Sequence, residues 1–313
     1  MNQPLYHKAL VLVACFLASC ACPDSFRDVP APQVRQAADV ERVTACQMRH
    51  YGATLLARAE SAAVVRALVQ KGADVRGRII LGGKDYPGNP LLQAEKTDVL
   101  QELVRCGADT NARGGAKGET PLCAAVRHGQ VSKARFLLES GADASLADSQ
   151  SETPLYIAAM RGDAEMCKLL LGAGAQVDAG EKVEGTAPLL AVLSAAHAGK
   201  LVRAEADTIA LLLLNAGAQA SPTDAEGNTL LHFASPAVVH RLLAAGVSPH
   251  ATNHLGRTPL FTSCDRVVVD ALLGAGADIQ ARDGEGNSAF DVVSSPQVKS
   301  YLLFRGCRSG HAL

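Results

Sequence analysis

Nine cysteines and nine histidines are the residues of this 313-residue chain that could carry covalent or metal chemistry, and their spacing excludes most of it. No C-x-x-C occurs, so neither a dithiol redox motif nor a paired zinc site is supported. His250 and His254 stand four apart, but Pro249 and Gly256 put them in a turn where no helix aligns them as ligands. Gly284-Glu285-Gly286 with Ala289 matches a dinucleotide pattern on paper, yet it falls in a turn rather than after a core strand. Gly199-Lys200 lacks the leading Gly and the following Ser or Thr of a phosphate loop, and neither G-x-S-x-G nor H-E-x-x-H is present. No catalytic residue, metal, cofactor or small-molecule substrate is therefore expected. The cysteine placed for chemistry is Cys20, which follows Leu17-Ala18-Ser19 at the end of the apolar stretch Leu10 to Ala18. Nine residues of helix rise about 14 Å, under half of a bilayer core of roughly 30 Å, so this stretch has the length of a secretory signal and not of a span.

Leu17-Ala18-Ser19-Cys20 resembles the bacterial lipobox. The resemblance implies cleavage before Cys20, acylation of its sulfur and new amino terminus (palmitate among the chains), and a signal peptide over 1–19. Several acyl chains on one cysteine anchor stably where one does not. Ala21, not Asp, follows the cysteine, which in the enterobacterial sorting rule implies the outer membrane and a periplasm-facing protein. Residues 20–34, with Pro23, Pro30 and Pro32, read as a tether from this anchor. An ordinary secretory signal is the alternative.

The elements behind this leader must be built from small side chains. The chain is 48% hydrophobic but only 4% aromatic, has no Trp, and carries a formal net charge of −1. Near-neutral charge gives no footprint for nucleic acid, and small apolar residues suit closely stacked helices. Gly-Ala-Asp or a variant recurs at Gly72, Gly107, Gly141, Gly174, Gly217, Gly246 and Gly276, each after a Leu-rich segment. Between these lies a second marker, strongest as Thr120-Pro121-Leu122, Thr153-Pro154-Leu155 and Thr258-Pro259-Leu260, with registers starting at 54, 89, 120, 153, 187, 229, 258 and 288. In the fourth register Thr153 can cap a helix that Pro154 begins, Ala158 and Ala159 admit a close neighbour, and Gly162-Asp163 breaks the chain. Met166, Cys167, Leu169, Leu170 and Leu171 then cover most of a second helix that Gly174 ends in a left-handed cap.

A period near 33 with T-P-L and Gly after helix two resembles the ankyrin repeat. The resemblance implies an all-α solenoid of about eight stacked helix-turn-helix repeats with projecting β-turn fingers over 52–307. Residues 35–51, with Val40, Val43 and Met48, read as an N-terminal capping helix, and 308–313 as a frayed tail. The third and fourth repeats are full length. Five others lack three or four residues, expected at the helix–helix turn, and the fifth carries about nine extra within Ser194 to Asp207. The first finger has Ile79-Ile80-Leu81-Gly82-Gly83 inserted. Such insertions either mark binding or are tolerated loops. Beyond Cys15 and Cys20 seven cysteines remain, at 22, 46, 106, 123, 167, 264 and 307, and this odd number leaves at least one thiol without an internal partner. Cys167 reads as a buried hydrophobe. Cys106 and Cys123 flank one finger and could form a bridge or stay free. His232 ends T-L-L-H, where ankyrin repeats use His to join neighbours.

What the resemblance implies about function is protein binding, through finger tips and the exposed ends of helix one. Its variable positions fall on Ala116, Lys117, Glu119, Arg127 and His128, on Ser149, Gln150, Glu152, Met160 and Arg161, and on His254, Leu255 and Arg257. The set is mixed in charge, with Met160 and Leu255 as apolar anchors. The leading expectation is a non-enzymatic scaffold for an unidentified protein partner, held to the membrane by lipid, with no nucleic-acid role. The alternatives are an immunity lipoprotein that neutralises a periplasm-acting toxin and a thiol-dependent envelope stress protein.

Overall fold

Proline and threonine at the start of helix one, and glycine after helix two, set the architecture of the computed structural model. It describes residues 33–310 apart from 44, 77–78, 82–83, 87–88, 116–117 and 180–186. The signal, Cys20 and most of the tether therefore lie outside the described residues. Residues 1–108 and 109–313 form two compact units, with two helix pairs in the first and six in the second.

In the first unit the pairs are Ala45–Ala57 with Ala62–Gln70, and the 3-10 turn Pro90–Leu92 with Thr97–Arg105. Leu56, Val64, Val65, Leu68, Leu91 and Leu103 are fully buried between them. The expected capping helix over 35–51 is replaced by two elements. A short helix, Ala37–Val40, comes first, and the Ala45–Ala57 helix then runs straight through the expected boundary at 51/52. Thr54 is accordingly buried inside a helix instead of capping one. The local reason is that Leu55, not Pro, follows Thr54, and nothing between Gln47 and Ala53 other than Gly52 interrupts helical sequence. The finger insertion forms an antiparallel hairpin, Ile79–Leu81 with Lys84–Tyr86, against the Ala45–Ala57 helix.

In the second unit, Pro121–Arg127 pairs with Val131–Glu139 and Pro154–Met160 with Ala164–Gly172. Thr120 Oγ1 accepts the Cys123 N–H at 3.1 Å and Thr153 Oγ1 the Tyr156 N–H at 3.2 Å, the caps the sequence calls for. Gly174 sits at φ 85°, and the following Ala175 N–H reaches back to Leu170 O at 3.0 Å, closing the helix. The last three pairs are Leu230–Phe233 with Val239–Ala244, Pro259–Thr262 with Arg266–Gly274, and Ala289–Val292 with Pro296–Phe304. Their first helices have only four residues. In the seventh and eighth pairs the missing residues thus come out of helix one itself and not, as expected, out of the turn after it; in the sixth, helix two is shortened as well, to six residues.

The fifth pair corrects the reading of its insertion as a loop. Pro188–His197 has 10 residues and Arg203–Asn215 has 13, against seven and nine in the full-length repeats. The extra residues extend both helices by about one turn. The elongated tip reaches both neighbours. A Cβ on Gly162 would lie 2.7 Å from Glu205 Oε2, so that tip sits directly over the fourth repeat's turn. On the other side Arg203 Nη1 donates to Phe233 O at 3.1 Å, Ser235 Oγ donates to Asp207 Oδ1 at 2.7 Å, and His197 meets Phe233 edge-on.

Candidate protein-binding surface

The fingers of the fourth, sixth, seventh and eighth repeats are each organised by an Asp or Asn five residues before the Thr or Ser of the marker. Asp148 Oδ1 accepts the N–H groups of Gln150 and Glu152 at 2.8 and 3.1 Å. Asp224 does the same for Glu226 and Asn228, Asn253 for Leu255 and Arg257, and Asp283 for Glu285 and Asn287. One short polar side chain closes the turn by satisfying two backbone donors. Sequence reasoning missed these residues, although their constant offset was visible. Fingers six to eight are also joined edge to edge. His254 N–H donates to Glu226 O and Gly284 N–H to Leu255 O, both at 2.9 Å. The approach is so close that a Cβ on Gly256, at φ 75°, would lie 2.9 Å from Gly284 N.

On this frame Ser149, Gln150, His128, Arg161, His254 and Leu255 are exposed, Leu255 at 59%. Glu119, Glu152 and Met160 are half-buried, and Ala116 and Lys117 lie outside the described residues. Two arginines expected to face a partner are occupied internally. Arg127 Nε donates to Glu119 Oε1 at 2.9 Å, and its Nη2 donates to Asp148 Oδ2 at 2.7 Å and Glu152 Oε2 at 3.0 Å. The guanidinium clamps two successive fingers, with the Asp148 side chain wholly buried. Arg257 likewise holds Asp283 at 3.0 Å. Arg161 remains exposed while its Nη1 donates to Arg127 O at 2.6 Å, capping the preceding repeat's helix one. Arg127 with Arg161 is therefore not a freely reversible charge pair, because reversal would place four carboxylates together.

The remaining chemistry candidates are structural. His232 is buried; its Nδ1 accepts the Thr229 N–H at 3.0 Å, which leaves the proton on Nε2 to donate to Arg257 O at 3.0 Å. Burial lowers its pKa, because a charged ring there would lose its hydration. It joins neighbouring repeats as the sequence suggests. Cys106 and Cys123 are both free thiols, so the bridge they could have formed is not made. Burial pushes Cys123 up to about 11 and Cys167 up to about 12, the wrong direction for thiolate chemistry. Among the described residues no group of three or more metal-ligating side chains converges, and no helix is long and apolar enough to cross a membrane.

Helix pairs with glycine caps and Asx-closed fingers at this period define an ankyrin-repeat α-solenoid. Residues 91–181 match the family model of ankyrin repeats in three copies, so this part of the chain consists of ankyrin repeats. Two solved structures share the fold. The human ASB11 ankyrin repeat domain is 25% identical with a TM-score of 0.51, covering 66% of this chain and 91% of its own. The ankyrin repeat domain of Bcl-3, described as a unique member of the IkappaB protein family, is 26% identical with a TM-score of 0.56, covering 71% and 97%.

Proposed function

We propose that this chain is a non-enzymatic scaffold that binds a protein partner along its finger tips and helix-one ends, and that lipid on Cys20 holds it to the membrane on the periplasmic side. The observation that carries the binding reading is the stitched finger ridge. Main-chain hydrogen bonds between Glu226, His254, Leu255 and Gly284 fix the ridge while leaving Leu255 more than half exposed at its crest. Rigid backbone beneath an exposed apolar side chain reduces the ordering entropy that binding must overcome. Ser149, Gln150, Met160 and Arg161 extend the same surface into the full-length repeats. Ankyrin repeats are in general protein-interaction modules, and two neighbours of the same fold support the class. The anchor and location rest on the Leu17 to Cys20 sequence. The test has two arms. Cys20→Ser should turn a membrane-pelleting, acyl-labelled protein into a soluble or uncleaved one, and identical fractionation of both would sink the anchor. Leu255→Asp with Gln150→Lys should abolish capture of a partner isolated with the wild type, at unchanged melting temperature. Full capture would remove this surface from the site.

A further inference from the structure

The register two residues before the capping glycine faces solvent in every repeat, and it is occupied by Arg105, Glu139, Gly172, Asn215, Ala244 and Gly274 in repeats two to seven. In the last repeat the same register holds Phe304, 82% exposed, which makes it the most exposed of the large hydrophobic side chains described. An aromatic ring where the other repeats place polar or small residues is not required by stacking. Its surroundings are built to hold it. Phe304 stacks on Tyr301 with ring centroids 6.2 Å apart, and the Tyr301 hydroxyl donates to Asp270, which Arg305 Nη1 also engages at 2.5 Å. On Tyr301 the Arg266 guanidinium lies 4.4 Å from the ring centroid. Phe304, Tyr301 and Arg266 line a groove of about 680 Å³ between Arg266–Gly274 and Pro296–Phe304, whose lining also includes buried Val298 and exposed Cys264.

The groove's charge indicates what fits. Both nine-residue helices begin in it, presenting the positive ends of their dipoles. The carboxylate in its lining, Asp265, is already engaged by the Val267 N–H at 2.7 Å, and Asp270, outside the lining, by Arg305 and Tyr301. Arg266 stays 70% exposed, with its nearest carboxylate, Asp270, at 3.7 Å. We infer that this groove, on the opposite helix of the repeat from the finger surface, docks a partner segment that carries a large apolar side chain beside carboxylates. The apolar side chain would lie on Phe304 and Val298 and a carboxylate against Arg266. Aromatic and arginine side chains are the residue types that dominate interface hot spots.

The chain contains no Trp, so the fluorescence of a tryptophan peptide reports binding without background. Acetyl-Glu-Glu-Trp-Leu-Glu-Glu-amide titrated with the full chain should shift to the blue and saturate below about 1 mM. Phe304→Ser and Arg266→Glu, both at exposed sites, should each weaken it by about tenfold or more at unchanged melting temperature. Leu255→Asp should leave it unaltered, which separates this groove from the finger surface. Acetyl-Lys-Lys-Trp-Leu-Lys-Lys-amide should bind more weakly than the acidic peptide. The inference is overturned by any of four results: no saturation, indifference to Phe304→Ser, equal or tighter binding of the basic peptide, or a dimer in sedimentation that Phe304→Ser dissolves, which would assign the groove to a second copy of this chain.

Discussion

Helix one of the third and fourth repeats is a seven-residue α-helix, whereas in the sixth and seventh it is a four-residue 3-10 turn. The two halves of the second unit fill the same layer by different means. The long version packs small residues, Ala124, Ala125, Ala158 and Ala159, and brings helix backbones close. The short version loses a turn of helix and fills the space with Phe233 and Phe261. The difference also reaches the ends. A full α-turn leaves C-terminal carbonyls to satisfy, which Arg161 does for Arg127. The truncated turn leaves in extended backbone at Ala234 and Ser263, and Arg203, from the elongated fifth pair, caps Phe233. The insertion is thus the brace where long repeats give way to short ones.

The largest expected effect tests whether the halves differ in stability. Leu170 and Leu242 are equally buried, so each Leu→Ala should cost about 2–5 kcal/mol. With less helix around it, the Leu242 half should open first. Leu242→Ala should then produce an early, separate unfolding transition with fast amide exchange in 229–307, whereas Leu170→Ala should lower the main transition. A single shared transition in both variants would erase the distinction.

Next come the two arginine clamps. Arg127→Ala leaves Glu119, Asp148 and Glu152 facing one another with Asp148 buried, and should cost about 3 kcal/mol. Arg257→Ala leaves one carboxylate, Asp283, that still accepts from Glu285 and Asn287, and should cost about 1 kcal/mol. Chemical denaturation of the two variants decides, and equal losses would mean the carboxylate cluster adds nothing to the long half.

The pH dependence of the short half follows from His232. Its folded pKa lies below the unfolded value near 6.5, so the stability held by the neutral ring is fully present above that value and declines as pH falls beneath it. Between about pH 7.5 and 5.5 the early transition should move down in temperature, and His232→Leu should flatten that slope. A slope unchanged in the variant would place the proton uptake elsewhere.

The repeat period, the capping glycines and the Thr-Pro starts were legible because each is a local requirement of backbone geometry. Gly174 at positive φ and Thr153 at its cap are where the sequence puts them. The expected finger and helix-end positions stay together on one unit, but which of them are free was not legible. Arg127 looks like a variable surface residue until the fold brings Glu119 and Asp148 to it from two fingers, 8 and 21 residues away. The length of helix one was hidden for a related reason. Three missing residues can leave a turn or a helix, and only packing against Phe233 or Phe261 selects the helix. The Ala45 start of the first pair was missed because Thr54-Leu55-Leu56 follows sequence that carries a helix straight into it, whereas Thr229-Leu230-Leu231 follows Gly227 and Asn228 and does begin a new turn.

The smallest predicted effect separates the two kinds of helix start. Thr153 Oγ1 accepts from Tyr156 and donates to Ala179 O at 3.3 Å, and Thr229 Oγ1 meets His232 Nδ1 at 3.0 Å. Thr258 begins the seventh repeat with the same residue, yet its buried hydroxyl has no hydrogen-bond partner. The cause lies three residues on, where Phe261 stands in the place of His232 and the short 3-10 turn spends its N–H on Thr258 O. A buried hydroxyl without a partner has lost its hydration and gained nothing in return. Thr153→Val should therefore cost about 1 kcal/mol, the usual loss of a cap. Thr258→Val, nearly the same shape without the hydroxyl, should change stability by less than about 0.5 kcal/mol or raise it slightly. Matched denaturation curves give the answer. A loss at Thr258 as large as at Thr153 would mean that its hydroxyl is bonded in solution and that the two kinds of repeat start their helices alike.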